Sequence, residues 1–268
     1  MGWPVAHSRS PIIHNYWINE YGLYGTYELI PVEPQNIGIA FNKLRSDGYA
    51  GCNITLPHKV DAIKYMDWVA PLAQRIGAIN TVVVQSDGAL HGFNHDGFGY
   101  IESLREACPT WQANAGPVVV LGAGGASRAI IVSLLDAGAT EIRLLNRTKT
   151  KADDLAQEFG AAVRSFDWHD RNEALTNASL LVNTTSQGMQ GQAELEIDLS
   201  QLPISALVSD AIYIPLETAL LSSARQRGNP TVNGLGMLLH QARPAFQAWF
   251  GIMPKVTPDL IKKITATF

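Results

Sequence analysis

Two short stretches of this sequence gather residues able to move a proton beside residues able to hold oxygen. The first, Asn53-Ile54-Thr55-Leu56-Pro57-His58-Lys59, crowds amide, hydroxyl, imidazole and ammonium groups at the end of an expected strand. Open α/β sheets bind their ligands at that end. The second, Gly92-Phe93-Asn94-His95-Asp96-Gly97, falls at the expected boundary between two domains, where cofactor and substrate usually meet. Hydride transfer between an alcohol and a ketone needs a proton donor and acceptor beside the oxygen. A lysine with a carboxylate neighbour meets that need. Taken singly, Lys59 reads as a solvated surface lysine and Asp96 as a cap for the helix that Gly97 opens.

A third stretch suits phosphate. Gly122-Ala123-Gly124-Gly125-Ala126-Ser127 follows the apolar run Val118–Leu121 and opens a helix. The first glycine makes the tight turn, the second lets the backbone approach a pyrophosphate, and free amides at the helix start hold its charge. Ser127 stands where Gly or Ala is usual. An NAD site carries an acidic residue about 20 residues further on, to bond the ribose 2′-hydroxyl. Here Asn146-Arg147-Thr148-Lys149-Thr150-Lys151 stands in its place. A carboxylate would repel a 2′-phosphate, whereas Arg147, with Lys149 or Lys151 nearby and Thr148 as a hydroxyl donor, would attract it. NADP(H) is the expected cofactor.

These clusters need elements to hold them. Ser10-Pro11 reads as a helix start with Ser10 as cap, Ile12, Ile13, Tyr16 and Trp17 forming one face, and Gly22 ending it. A strand at about 27–32, a helix from Pro34 to Asp47-Gly48 and a strand near 49–54 follow. A helix after Pro57, a strand at 81–85 and a turn at Ser86-Asp87-Gly88 into another short strand complete the first half. The alternation predicts an α/β layer with a mostly parallel sheet. After a linking helix at 97–108 the pattern restarts. Strands at 118–121, 141–146 and 179–183, separated by helices, and a further strand at 206–210 predict a second, doubly wound Rossmann-like sheet. From Gly234 onward, Leu235, Leu238, Leu239, Ala242, Phe246, Trp249 and Phe250 form the stripe of a buried helix, with one more helix beyond. The expected fold is therefore two α/β domains. Residues 1–96, completed by 232–268, bind substrate, and residues 97–231 bind NADP.

Composition agrees with an enzyme of this kind. Among 268 residues, 46% are hydrophobic and 16% charged, which suits a folded soluble protein. A net charge of −4, with no basic cluster, argues against nucleic acid and anionic membranes as partners. Cys52 and Cys108 match no zinc or redox spacing, and His7, His14, His91, His169 and His240 make no metal pattern. No metal is expected. No signal peptide or apolar run of membrane-spanning length is visible, so a cytoplasmic enzyme is expected. Both a monomer and a homodimer suit this architecture.

Several blocks, in order, resemble the shikimate dehydrogenase family over nearly the whole chain. They begin with Ser8-Arg9-Ser10-Pro11, Asn53-x-Thr55-x-Pro57-x-Lys59, Gly77-Ala78-Ile79-Asn80-Thr81 and Asn94-x-Asp96-Gly97. The Gly122–Ser127 loop, Asn146-Arg147-Thr148, Asp210-x-x-Tyr213-x-Pro215-x-x-Thr218 and Gly234-Leu235-Gly236-Met237-Leu238-x-x-Gln241 follow. The resemblance implies that Lys59 and Asp96 form the catalytic pair. It implies that Ser8 and Ser10 hold the substrate carboxylate, and that Thr55, Asn80, Tyr213 and Gln241 bond the carboxylate or ring hydroxyls. Gly234 and Met237 would sit by the nicotinamide, with Ala211 on the same wall. The implied reaction is the interconversion of 3-dehydroshikimate and shikimate with NADP(H). A relative acting on quinate or an aminated shikimate, and a catalytically silent NADPH-binding sensor, are the competing expectations. Intact Lys59 and Asp96 speak against the sensor.

Two features depart from the family pattern. His95 stands before Asp96 where Thr is usual, and it would bond Asp96, touch substrate or be a tolerated loop change. The start, Met1-Gly2-Trp3-Pro4, matches the loop after the family's first strand, so that strand is expected to be missing and a sheet edge exposed.

Overall fold

In the computed structural model, which describes residues 1–268, Pro11 sits in the first turn of helix α1 (Ser10–Glu20). The fixed φ of proline suits that position. Arg9, not Ser10, is the cap residue, and no side chain caps this end. The chain continues through α2 (Ile37–Ser46), β1 (Gly51–Asn53), β2 (Trp68–Val69), α3 (Pro71–Ile76), β3 (Thr81–Val84) and β4 (Leu90–Phe93). Then come α4 (Asp96–Ala107), β5 (Val118–Leu121), α5 (Gly125–Asp136), β6 (Ile142–Leu145), α6 (Lys149–Phe159) and β7 (Val163–Phe166). The last elements are β8 (Leu180–Asn183), β9 (Leu207–Asp210), α7 (Ala219–Arg227), β10 (Thr231–Val232), α8 (Gly234–Phe250) and α9 (Pro258–Thr265). Two compact units result, Met1–Asp96 with Leu239–Phe268, and Gly97–Leu238. Helices α4 and α8 carry the chain from one unit to the other.

The sheet of the first unit corrects the expectation of a mostly parallel one. Its order is β1-β3-β4-β2; β1/β3 and β3/β4 are antiparallel and only β2/β4 is parallel. The reason lies in the turn at Ser86-Asp87-Gly88. Strands joined by so short a link can only run antiparallel, because a parallel return needs a long crossover. The strand expected at 27–32 is reduced to a parallel bridge between Gly2 and Pro31. Pro31 has no amide hydrogen to continue a ladder. Residues 1–3 occupy the place beside it: the Met1 ammonium donates to Asn53 O, Thr55 N to Met1 O, and Val32 N to Gly2 O. After Pro57 the structure forms a short 3-10 turn at Asp61–Tyr65 instead of an α-helix.

Helix α8 is fixed to this sheet. Trp249 Nε1 donates to Val82 O at 3.0 Å. Gly51 permits the approach, since a Cβ there would stand 2.1 Å from Val82 O and 2.3 Å from Trp249 Nε1. Between α1 and α8, the His14 ring stacks on Tyr27 at 4.3 Å and meets Trp17, Phe246 and Trp249. His14 is fully buried, and neither ring nitrogen has a hydrogen-bond partner. Burial therefore lowers its pKa to about 3, with the nearby Asn53 amide opposing. A histidine with a depressed folded pKa stabilises fully above its unfolded value near 6.5, and the contribution is lost as pH falls toward 3. Each pH unit in that window costs up to about 1.4 kcal/mol for one such group. We expect His14→Phe to flatten the fall in stability between pH 6.5 and 4, measured by urea unfolding. An unchanged slope would exclude His14 as the cause.

The second unit carries a six-stranded sheet, order β10-β9-β8-β5-β6-β7, every neighbouring pair parallel. All four residues of Val118–Leu121 are inaccessible to solvent, as expected of a central strand with helices on both faces. Strand β7 escaped the sequence reading because it is an edge strand carrying Arg164 and Ser165 in its middle. The strand order reverses between β5 and β8, which places the binding crevice of such sheets beyond their carboxyl ends.

Candidate active site

In the first unit, Lys59 and Asp96 meet. Lys59 Nζ lies 2.5 Å from Asp96 Oδ2, and the two side chains are 14% and 5% exposed. Ion pairs this far from solvent persist only when further hydrogen bonds hold their geometry. Asn80, at the mouth of β3, supplies them. Its Nδ2 donates to Asp96 Oδ1 at 2.9 Å and to Gln241 Oε1 at 3.1 Å. Its Oδ1 accepts from the His95 amide at 2.9 Å and from Thr81 Oγ1 at 2.8 Å. An asparagine amide has two donor and two acceptor positions, and all four are spent inside the protein. Asn94 completes the frame, accepting from Asp96 N at 3.0 Å and donating to Ala78 O at 2.9 Å.

The local fold explains the meeting. Lys59 O accepts from Ile79 N at 2.8 Å, which ties the segment after Pro57 to the Gly77–Thr81 turn. Asp96 opens α4 at the end of β4, the strand paired with β3. Lys59 keeps two ammonium hydrogens beyond the one aimed at Asp96.

The two serines at the start of α1 are linked to the same network. Ser8 Oγ and Ser10 Oγ lie 3.3 Å apart. The buried Tyr27 hydroxyl interacts with Ser10 and donates to Asn53 Oδ1 at 2.8 Å. Asn53 Nδ2 in turn reaches Asn80 O and Thr81 Oγ1, both at 3.1 Å. Thr55 is half-buried, its backbone engaged with Met1 and His58 and its hydroxyl available. Tyr27 was not singled out from sequence, since it sits in an expected strand. Asn53 gave a signal only through its crowded neighbourhood.

His95 does not bond Asp96 through its ring. The imidazole lies parallel to Phe93 at 6.0 Å, with Nε2 buried and unpartnered. Burial lowers its pKa to about 4 against the pull of Asp96, so the ring is uncharged at neutral pH.

In the second unit, Gly122 and the start of α5 form a cradle that fits a dinucleotide. Gly122 has φ +108°, and a Cβ there would stand 2.5 Å from Thr184 Oγ1. A Cβ on Gly124 would meet nothing within 4 Å, leaving its face open to a ligand. Ser127 replaces the usual small residue to good effect. Gly124 N donates to Ser127 Oγ at 3.1 Å, Ser127 Oγ pairs with Thr184 Oγ1 at 2.6 Å, and Thr184 donates to Leu121 O at 2.6 Å. Arg128 N is the first α5 amide to bond back, to Gly124 O. The amides of Gly125, Ala126 and Ser127 are thus first-turn donors suited to phosphate, with Ala123 half-buried beside them. Gly122→Ala is expected to cost about 1–3 kcal/mol in strain and to weaken NADPH binding. Thermal unfolding and cofactor titration check both effects.

At the end of β6, Asn146 Nδ2 closes the loop onto Thr148 O at 2.9 Å. Thr148 is the N-cap of α6 but makes no side-chain cap bond, so its hydroxyl is free. Lys149 is bound to Asp153 and Ser165, whereas Arg147 and Lys151 are exposed without an ion-pair partner. That leaves Lys151, not Lys149, as the available second cation. Ala211, Gly234 and Met237 also come together in this unit. Gly234 N donates to Ile212 O, and a Cβ on Gly234 would stand 2.2 Å from Ala211 O. Met237 is buried in the core cluster that Ala211 packs against. Tyr213 is half-buried in the loop after β9.

A Rossmann-type sheet with this cradle and cation set, in a chain whose other unit holds a buried Lys–Asp pair, defines a pyridine-nucleotide-dependent dehydrogenase. Comparison with known proteins agrees. Residues 1–82 match the shikimate dehydrogenase substrate binding domain, 106–191 the shikimate / quinate 5-dehydrogenase family, and 234–258 the shikimate 5′-dehydrogenase C-terminal domain. The shikimate dehydrogenase (NADP(+)) of Rhodospirillum rubrum is 50% identical over 264 residues, 97% of this chain and 93% of that protein. That of Paramagnetospirillum magneticum is 49% identical over 260 residues, 97% of this chain and 94% of its own length. Shikimate 5-dehydrogenase from Thermus thermophilus, solved with NADP(H) and shikimate, superposes with TM-score 0.88 at 36% identity, covering 100% of this chain and 97% of that one. A quinate dehydrogenase from Corynebacterium glutamicum, solved with NAD, reaches TM-score 0.89 at 28% identity, covering 99% and 96%. The chain belongs to the shikimate dehydrogenase family.

Proposed function

We infer that this chain is an NADP-dependent dehydrogenase that interconverts shikimate and 3-dehydroshikimate. The observation that carries the reading is the buried Lys59–Asp96 pair, held by Asn80, in a chain half identical to shikimate dehydrogenases. Held by the second unit, the cofactor would supply the hydride chemistry: NADP+ would accept hydride from the alcohol carbon and NADPH would return it to the ketone carbon. During reduction the Lys59 ammonium gives a proton to the ketone oxygen and becomes the neutral amine; during oxidation that neutral amine takes the hydroxyl proton and becomes the ammonium. Asp96 keeps the ammonium in place and offsets its charge, and Asn80 fixes the carboxylate.

We assign Ser8 and Ser10 to the substrate carboxylate, and Thr55, Tyr213 and Gln241 to the carboxylate or ring hydroxyls. Uncharged donors suit a polyhydroxy acid, because a buried group left without its partner penalises the wrong ligand. Asn80 joins that set only by releasing one of its internal bonds. Its main work is on Asp96. Gly122–Ser127 hold the pyrophosphate, Arg147, Lys151, Thr148 and Asn146 the 2′-phosphate and ribose, and Ala211, Gly234 and Met237 the nicotinamide. Apart from Tyr213, the residues assigned to the substrate belong to the first unit with its returning helices, and those assigned to the cofactor to the second.

Product analysis tests this reading. Purified protein given 3-dehydroshikimate and NADPH should form shikimate, one molecule per NADPH oxidised. Tight NADPH binding without turnover would leave the silent sensor as the better account.

A further inference from the structure

The second unit contains a buried carboxylate that the chemistry above does not use. Asp210 ends β9 at 1% exposure, directly across the sheet from Asn183 at the end of β8. Its Oδ1 accepts from Ile212 N at 3.0 Å and Asn183 Nδ2 at 3.1 Å; its Oδ2 accepts from Thr218 Oγ1 at 2.8 Å. Every partner is neutral, and burial pushes the carboxyl up to about 6 against these bonds. A carboxylate kept in so dry a place costs free energy unless its hydrogen bonds hold something that matters.

What they hold is the loop after β9. Ile212 N begins it and Thr218 ends it, so one carboxylate grips both ends of Ala211–Glu217. The same hub reaches two neighbouring loops. Asn183 Oδ1 accepts from Thr185 N and Oγ1, and Gln190 N donates to Ile214 O. Thr184 connects to Ser127 and the Gly122 cradle. On its far side, the Ala211–Ile212 backbone is pressed against Gly234, where no Cβ fits.

We propose that Asp210 is a positioning residue for the cofactor, setting the Ala211–Ile212 backbone against which the nicotinamide half of NADP(H) is held. The proposal rests on the assignment of Ala211, Gly234 and Met237 to the nicotinamide. Arg147 and Lys151, assigned to the adenosine 2′-phosphate, make no bond to this anchor, and the Gly122 cradle is joined to it only through Thr184, the chain neighbour of Asn183.

Two probes separate the halves: NADPH, and adenosine 2′,5′-bisphosphate, which lacks the nicotinamide. Asp210→Ala should weaken NADPH about 10- to 100-fold, the range for losing hydrogen bonds to a charged group, and leave the bisphosphate unchanged. Asp210→Asn, of the same size and still able to accept from Ile212, should show the same selectivity at smaller amplitude and keeps the test valid if the alanine variant fails to fold. Gly234→Ala displaces the Ala211 carbonyl from the opposite side and serves as the control. If it selectively weakens NADPH while both Asp210 variants bind normally, the nicotinamide assignment stands and Asp210 positions nothing. If none of the three changes NADPH binding, the assignment and the proposal fall together. Equal weakening of both probes by the Asp210 variants would make Asp210 a general structural residue and overturn the proposal.

Discussion

Lys59→Met is expected to lower kcat for shikimate oxidation by about a hundred- to ten-thousandfold, the usual range for a positioned acid–base group, and to leave NADP affinity unchanged. Methionine keeps the unbranched stem and much of the volume but has no proton to give or take. The substitution also leaves Asp96 buried without its cation, which costs about 3–5 kcal/mol when nothing compensates. A fall in activity could then reflect a loosened site. The double variant Lys59→Met/Asp96→Asn removes that ambiguity. Its second substitution presents a neutral amide to Asn80 in place of the carboxylate, so thermal stability should recover while activity stays low. Recovery of activity together with stability would show that Lys59 supports the fold and not the proton transfer.

Arg147→Ala should raise KM for NADP about 10- to 100-fold, as expected on losing a charge-assisted bond to a phosphate, and leave KM for NAD unchanged. Arg147 is exposed and has no ion-pair partner within the protein. Its contribution to stability is accordingly small, and the effect should appear in cofactor choice alone. Lys151→Ala should act in the same direction more weakly, its ammonium being a point charge without the planar fork of arginine. Lys149→Ala should leave cofactor choice unchanged, since Asp153 and Ser165 already hold that side chain. Steady-state kinetics with NADP and NAD separate the three. A larger effect from Lys149 than from Lys151 would contradict this placement of the two lysines.

The chemistry was more legible in the sequence than the geometry that serves it. The Gly122 cradle and the Arg147 segment announce themselves because each follows the end of a strand, Lys59 and Asp96 stand out as a pair through the family pattern, and the order of elements is written in apolar spacing. Strand direction in the first unit is not written that way. A four-residue apolar strand reads alike in parallel and antiparallel sheets, and only the short Ser86–Gly88 link decides. Hydrogen-bond partnership is equally silent. Asn80 is a substrate ligand by family pattern, yet its four bonds to Asp96, Gln241, His95 and Thr81 make it the frame of the ion pair. Those partners are separated by up to 161 positions in sequence. Tyr27 was hidden for the same reason, and Asp210 showed only as part of a family block, since a single polar residue gains its meaning only from distant neighbours.

His95 shows the converse. Its type suggested a bond to Asp96 or to substrate, but the ring lies against Phe93 and burial keeps it uncharged. Residue type offered a chemistry that packing removed.

The most direct measurement is the initial rate of cofactor reduction with shikimate and with quinate, each paired with NADP and with NAD. A site with uncharged hydroxyl and amide donors, the Lys59–Asp96 pair and the Arg147 cation predicts the highest kcat/KM for shikimate with NADP. A higher value for quinate, or for NAD, would contradict it.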